Sequence, residues 1–249
     1  MKVTPIKTRP MKPPQDNLFE VLSESIKELP EKSVLVITSK IVAIHQGRCI
    51  KRDDSVDERQ LIIDQADKYL SGDESRKRPM LLTIKDNLFT PKAGIDTSNA
   101  NGYYILWPED VDQFTHTIHQ FIRQTYQTKE FGVLVIDSGL LPLRWGTVGI
   151  SLSHAGFCPL IDYRDKKDIF GKLSMSVVLA NVADSLASAA NLVMGEGNEQ
   201  TPLALIEDIP FVTFGESSEE MPSLQADMKE DLFAEMIDST NWKTGGGGK

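Results

Sequence analysis

Two short apolar runs, 34–37 and 133–136, constrain the fold more than any other feature of this 249-residue chain. Each run is a continuous stretch of Val, Leu and Ile with no polar residue to face water. Runs of this length and β-branched content are typical of strands that are covered on both faces. The chain is therefore predicted to form a sheet with at least two buried strands, and the residues that follow those strands are the first candidates for a ligand site.

The remaining sequence alternates between helical and extended patterns. Predicted helices cover 17–29, 58–70, 111–126, the alanine-rich 177–194 and 228–237. Further predicted strands cover 80–84, 103–107, 148–153, 203–206 and 211–214. The stretch 41–47 fits either a strand or a short helix. Because these elements follow no regular βαβ order, a mixed α/β (α+β) fold is favoured.

Composition narrows the class of protein. The net charge is −9 and the pI about 5.0, so a basic face for nucleic acid is not indicated. No run approaches the 18 or so apolar residues of a membrane span, and the N-terminus lacks the apolar stretch of a signal peptide. The two cysteines, Cys49 and Cys158, show no CxxC spacing. We expect reduced thiols and a cytoplasmic protein.

The chain divides by composition near residue 215. A domain over 1–215 is followed by an acidic segment, 216–249, that ends in four glycines and a lysine. This segment is expected to be a mobile tail apart from one short amphipathic helix.

Polar residues follow both buried strands. Thr38-Ser39-Lys40 follows the first and could bind phosphate oxygens, or could be an ordinary polar strand end. Asp137-Ser138 follows the second and could bind a metal ion or cap a turn. The sequence alone leaves both alternatives open.

Three further segments carry candidate groups. Gly94, Asp96 and Asn99 lie in AGIDTSN (93–99), which offers oxygen ligands for a hard cation but also fits an Asx-turn. Two glycines and two acids in 194–202 could wrap a nucleotide or form a simple loop after a helix. Arg144 could pair with an anion or lie on the surface. GxxxxGK[ST], GxSxG and HExxH motifs are absent.

In their residues and in their order along the chain, these segments resemble the coenzyme F420-0:L-glutamate ligase family. The similar blocks are VLVITSKIVAIHQGR (34–48), AGIDTSN (93–99), VIDS (135–138) and NVADSLASAANLVMGEGNEQTP (181–202). The stretches 3–8, 102–108 and 142–157 are closer to a branch associated with folate metabolism. The resemblance covers about residues 3–215.

The resemblance implies two intertwined subdomains with mixed sheets, a homodimer, and a cleft that binds Mg²⁺ or Mn²⁺ with GTP or ATP. L-glutamate would be joined to the γ-carboxylate of a folate-type or F420-0-type acceptor through an acyl phosphate. The implied metal ligands are Asp96, Asp137 and Ser138. The implied nucleotide contacts are Ser39, Lys40, Asn99, Gly195, Glu196, Gly197, Asn198 and Glu199. Lys40 and Arg144 would offset negative charge during catalysis.

The chain also departs from the family pattern. Ile44 stands where the coenzyme branch has a second lysine, and Gly139-Leu140-Leu141 replaces residues that are more often polar or basic. Both changes remove groups that could contact an anionic substrate. They motivate an alternative hypothesis, a non-catalytic nucleotide-binding relative of the same fold.

Overall fold

The fold is built on a five-stranded mixed sheet, described in a computed structural model over residues 1–71, 80–164, 166–172, 178–215 and 223–248. The helices are α1 (Leu18–Ser25), α2 (Ser39–His45), α3 (Glu58–Gln65), α4 (Val111–Tyr126), α5 (Val182–Met194) and α6 (Ala234–Asp238). The strands are β1 (Lys2–Ile6), β2 (Ser33–Thr38), β3 (Cys49–Lys51), β4 (Lys68–Tyr69), β5 (Leu82–Lys85), β6 (Leu88–Pro91), β7 (Tyr103–Ile105), β8 (Phe131–Leu140), β9 (Thr147–Ala155), β10 (Leu160–Asp162), β11 (Leu179–Asn181), β12 (Leu203–Glu207) and β13 (Lys243–Thr244). The large sheet has the order β1-β12-β2-β8-β9, in which β2 and β8 run parallel and the other pairs antiparallel.

The two apolar runs form the centre of this sheet, as predicted. In β2, Leu35 and Ile37 face a core made with α1, α2 and α4, whereas Val34 and Val36 face a second core made with α5. The same alternation continues in β8. Because both faces are covered, the central residues of each strand are apolar, and this explains the continuous apolar runs. Strand β8 continues beyond its run through Asp137 and Ser138 to Leu140, further than predicted.

A second, smaller sheet lies beside the first, with the order β13-β4-β5-β6. It shares a separate hydrophobic cluster with α3, which includes Leu61, Ile62, Ile95 and Tyr104. Strands β3 and β7 form another short antiparallel pair. The mixed α/β fold is therefore confirmed, with more short strands than the sequence predicted.

Several predicted elements differ in extent. The stretch 41–47 belongs to helix α2. Helices α1 and α3 end at Ser25 and Gln65, earlier than predicted, because the next residue of each is extended. The helix predicted from 177 begins at Val182, and position 177 lies outside the described residues. The predicted strand 211–214 is reduced to one antiparallel β-bridge between Phe214 and Phe157, because the amide of Val212 donates to the carbonyl of Ile209 and closes a turn.

The C-terminal segment is partly docked, although the sequence indicated a mobile tail. Residues 243–244 pair with β4, and the amides of Gly245 to Gly248 donate to carbonyls within 63–67. A Cβ atom at Gly245 would lie 2.0 Å from the carbonyl oxygen of Ala66, so only glycine fits there. The predicted amphipathic helix is reduced to α6, and 216–222 and 249 lie outside the described residues. None of the described helices is long and apolar enough to cross a membrane.

Candidate functional site

A cleft of about 490 Å³ opens where the parallel strands β2 and β8 end. Parallel neighbours present their carboxyl ends at one edge of a sheet, so Ser39-Lys40 and Asp137-Ser138 arrive there together. The lining residues fall within 8–11, 38–44, 96–101, 136–138 and 191–202. All four segments singled out from the sequence as strand ends or loops therefore meet in one cavity.

Lys40 connects two of these segments. Its Nζ atom lies 2.6 Å from Oδ2 of Asp96 and donates to the carbonyl and hydroxyl oxygens of Ser98 at 3.0 and 3.1 Å. The Ser98 amide also donates to Oδ1 of Asp96 at 2.7 Å, so the expected Asx-turn is present as well. Burial alone would raise the pKa of Asp96, but Lys40 and Ser98 outweigh it and hold that pKa below its ordinary value. Asp96 is thus a carboxylate that is charged and oriented.

Asp137 occupies a different electrostatic environment. One carboxylate oxygen accepts the indole N–H of Trp107 in a short hydrogen bond, and the other accepts the Ser138 amide at 2.8 Å. Burial, with a smaller contribution from the charge of Asp96, raises the pKa of Asp137 to about 6 against the opposing effects of these donors and Lys40. Two neighbouring carboxylates of this kind favour a cation between them. Across the described residues, no three His, Cys, Asp or Glu side chains converge as a complete metal site.

Glu196 is held by three donors. Its Oε1 atom accepts hydrogen bonds from Ser138 Oγ at 2.7 Å, Asn191 Nδ2 at 2.8 Å and Thr147 Oγ1 at 2.9 Å. Burial would raise the pKa of Glu196, but these donors outweigh it and lower that pKa. The Ser138 hydroxyl donates its proton to Glu196 and retains oxygen lone pairs for another contact.

The loop after α5 closes one side of the cleft. Asn99 Nδ2 donates to the carbonyl of Gly197 at 2.6 Å, which connects this loop to the segment that contains Asp96. Within the loop, Glu199 accepts the Gly197 amide at 2.8 Å, and Thr201 Oγ1 donates to the carbonyl of Met194 at 2.5 Å. The loop therefore has a defined shape rather than that of an open linker.

Two contributions to the site were missed in the residue-level sequence reasoning. Thr8 and Arg9 line the cleft, and Arg9 forms a bidentate pair with Asp16 at 2.7 and 3.0 Å. The indole N–H of Trp107 donates a hydrogen bond to Asp137. The stretches of family resemblance cover Thr8 within 3–8 and Trp107 within 102–108, but they do not include Arg9. None of the three residues lies in a sequence pattern with a chemical meaning of its own.

Arg144 is not brought into this cleft. It lies in the exposed turn 141–146 between β8 and β9 and is absent from the residues that line the cavity. Its neighbours Leu143 and Trp145 are each 99% exposed. The predicted catalytic role of Arg144 therefore has no support within a single subunit.

The part of the chain that forms the cleft is similar to known proteins. The model of the F420-0:gamma-glutamyl ligase family matches residues 5–208, which include every segment that lines it. A coenzyme F420:L-glutamate ligase of Haloarcula marismortui is 32% identical over 235 residues, with 85% of this chain and 88% of the relative covered. The protein of the same name from Methanopyrus kandleri is 28% identical over 228 residues, covering 84% and 87%. That from Methanocaldococcus jannaschii is 29% identical over 210 residues, covering 76% and 82%.

Proposed function

The chain belongs to the F420-0:gamma-glutamyl ligase family, and on that premise we propose that it joins L-glutamate to the γ-carboxylate of an acceptor while consuming GTP or ATP. The observation that carries this proposal is the meeting of the Lys40–Asp96 ion pair and Asp137 in one cleft, from three separate segments. Relatives named as coenzyme F420:L-glutamate ligases support the reaction class.

Amide formation from a carboxylate requires activation in water. In the proposed route, an oxygen of the acceptor γ-carboxylate attacks the γ-phosphorus of the nucleotide. The bond to the leaving nucleoside diphosphate breaks and an acyl phosphate forms. The glutamate amine then attacks the carbonyl carbon, phosphate leaves with the C–O bond electrons, and the amine proton passes to solvent or phosphate. Transfer of this kind depends mostly on positioning and charge neutralisation.

The charges of the residues that line the cleft indicate how the negative charge of the substrates would be neutralised. Among the described lining residues, Asp96, Asp137, Glu196 and Glu199 outnumber the two cations, Arg9 and Lys40. An anionic nucleotide and an anionic acceptor would be repelled unless positive charge enters with them.

The donor set fits a hard divalent cation such as Mg²⁺ or Mn²⁺, which takes oxygen ligands and is usually held by one or two carboxylates plus phosphate and water. Asp96 and Asp137 would hold it, with Ser138 Oγ as a further oxygen. When bound, the ion supplies charge neutralisation at the transferring phosphoryl group.

The remaining residues would hold the nucleotide. Lys40 and Ser39 line the cleft and would contact phosphate oxygens, and Asn99 connects its own segment to the loop 195–199 through its hydrogen bond to Gly197. Arg9 adds a second cation to the lining of the cleft, and its ion pair with Asp16 orients it while leaving it positively charged. These roles follow from the cleft geometry and the family resemblance together.

The acceptor is proposed to be folate-type or F420-0-type. Ile44 lines the cleft and is 3% exposed, so the position that carries a lysine in the coenzyme branch offers only an apolar contact here. This difference favours an acceptor with less negative charge near Ile44. It also keeps open the alternative of a non-catalytic nucleotide-binding relative.

A ligation assay tests the proposal. Tetrahydrofolate and coenzyme F420-0 are incubated in parallel with L-glutamate, GTP or ATP, and Mg²⁺ or Mn²⁺. The masses of the products are then measured by mass spectrometry. A mass gain of one glutamyl residue on either acceptor supports the ligase and identifies the branch. Metal-dependent nucleotide binding without product on either would favour the non-catalytic alternative.

We also propose that the protein is a homodimer, with the hairpin tip 140–145 at the interface. Leu140, Leu141, Leu143 and Trp145 are 47%, 50%, 99% and 99% exposed. A protruding cluster of large apolar side chains is typical of a protein contact. A second copy is the occupant we favour, because the family resemblance implies a homodimer. Arg144, which does not line the cleft of its own subunit, would then lie at the contact with the partner subunit.

A further inference from the structure

Trp107 contacts both segments that bear the candidate metal-binding carboxylates. Its indole N–H donates to Oδ2 of Asp137 at the end of β8. The same ring lies against Gly94, two residues before Asp96, where a Cβ atom would be 2.1 Å from Nε1. One buried side chain, 4% exposed, therefore separates and aligns the two segments.

Gly94 is required for this arrangement for two reasons. Its φ of +73° lies in the left-handed region that side chains other than glycine rarely adopt. Any Cβ atom there would also displace the indole. The glycine of AGID thus makes room for Trp107 as well as turning the chain.

The backbone of Trp107 is held by Arg48. The Nε atom of Arg48 donates to the carbonyl of Trp107 at 3.2 Å, and the Leu106 amide donates to the carbonyl of Arg48 at 3.0 Å. The guanidinium is in turn held by Gln65 at 2.8 Å and by Glu109 at 2.5 Å. The backbone of Trp107 is therefore held in place, while its ring is bounded by Asp137 and Gly94.

The hydrogen bonds at Asp137 leave a defined set of free lone pairs. One oxygen is bound by Trp107 and the other by the Ser138 amide, so the carboxylate cannot rotate without losing a donor. The lone pairs that remain can face the cleft, which Asp137 lines.

From this geometry we infer that Trp107 is a positioning residue, which orients Asp137 toward Asp96 so that the pair can bind a divalent cation. The inference rests on the proposed metal site. Partners that orient a metal-binding side chain typically contribute 10–100-fold to metal affinity.

The primary test is direct Mn²⁺ binding, measured by the electron paramagnetic resonance signal of free Mn²⁺. Wild type, Trp107→Phe, Trp242→Phe and Asp137→Asn are compared with Mn²⁺ alone and with a non-hydrolysable GTP analogue. Trp242 is the matched control because its indole also donates a hydrogen bond, to the carbonyl of Ile237 at 3.0 Å. Trp107→Phe should weaken Mn²⁺ binding about 10–100-fold, and Trp242→Phe should leave it unchanged.

The outcomes separate the two hypotheses. If Trp107→Phe is folded and binds Mn²⁺ as tightly as wild type, the positioning role is wrong although the metal site stands. If wild type binds no Mn²⁺ with or without the analogue, the metal site itself is wrong and the inference falls with it.

A second measurement covers the case in which Trp107→Phe does not fold. Wild-type protein is labelled with 5-fluorotryptophan, and its fluorine NMR spectrum is recorded during Mn²⁺ addition. The resonance of Trp107 should broaden at substoichiometric Mn²⁺, since the ring contacts a proposed ligand. A Trp107 resonance that persists while Mn²⁺ binds would overturn the inference.

Discussion

The Nζ atom of Lys40 lies 2.6 Å from Oδ2 of Asp96, and this ion pair joins the end of β2 to the segment 93–99. The ammonium thus already neutralises one of the two carboxylates that would hold a cation. If the proposed metal–nucleotide complex binds here, Lys40 would exchange its contact with Asp96 for one with phosphate, and Asp96 would then be available to hold the cation.

Replacing Lys40 with Met should reduce the ligation rate on the order of 10²–10³-fold, the range found when one preorganised charge-stabilising donor is removed. Stability should change by less than about 1 kcal/mol, because the two side chains are 26% and 42% exposed and such pairs contribute little. Steady-state kinetics and thermal melting measure both effects. Lys51→Met, at an exposed lysine in β3, is the control; equal losses in the two variants would contradict the assignment.

Asp137→Asn should leave the protein folded but inactive. The amide preserves size but lacks the charge that a divalent cation needs, so Mn²⁺ affinity should fall by more than the 10–100-fold typical of supporting residues. Calorimetric Mn²⁺ titration and the ligation assay are the measurements. Asp54→Asn, at an exposed aspartate, should behave as wild type. Turnover of Asp137→Asn at saturating Mg²⁺ would refute the metal assignment.

The ion pair of Asp16 should make the free energy of unfolding depend on pH in the acid range. Hydrogen bonds from Arg9, and then from the amides of Lys12 and Asn17, hold the pKa of Asp16 well below its ordinary 3.8 despite partial burial. A lowered folded-state pKa stabilises the fold above the ordinary value, and this contribution is lost as the pH falls below it. Asp16→Asn should therefore lose about 1–2 kcal/mol at pH 7, a figure reduced because Arg9 is about a third exposed.

Urea unfolding at pH 7 and pH 3 measures this difference. The difference between wild type and Asp16→Asn should be smaller at pH 3 than at pH 7, but part of it should remain, because the folded-state pKa of Asp16 lies lower still. A gap of the same size at both pH values would mean that the ion pair is not responsible.

Gly245→Ala should release the docked C-terminal segment. The added Cβ atom would lie 2.0 Å from the carbonyl oxygen of Ala66, so the segment must shift, at a cost of about 1–3 kcal/mol. Thermal melting and limited proteolysis would detect the change. Lys243→Ala, at an exposed position of the same segment, is the control, and equal protease resistance in all three proteins would show that docking contributes nothing.

The double substitution Leu143→Ser and Trp145→Ser should convert the proposed dimer to a monomer, since it removes the two most exposed apolar side chains of the hairpin tip. Light scattering coupled to size exclusion gives the mass directly. Leu232→Ser changes another leucine, 91% exposed, outside that tip and should not alter the mass. A monomeric wild-type protein would remove the basis for a contact between Arg144 and the partner subunit.

Local sequence patterns were sufficient for the centre of the fold. The runs 34–37 and 133–136 are continuous because both faces of β2 and β8 are buried, and the helix 111–126 follows from its apolar spacing. Patterns were weaker where tertiary contacts decide the conformation. Residues 211–214 have the composition of a strand, but a turn at Ile209 places Val212 in the core instead.

The sequence by itself determined where the continuous apolar part of each buried strand ends, and so placed Lys40 and Asp137 at candidate positions, although β8 itself continues to Leu140. Only the tertiary structure decided that Lys40 reaches Asp96, that Trp107 holds Asp137, and that Arg144 stays outside the cleft. The physical reason is that periodicity and strand termini are set by neighbours along the chain. Side chains from distant segments, in contrast, meet only through the packing of the sheet, which no local pattern encodes.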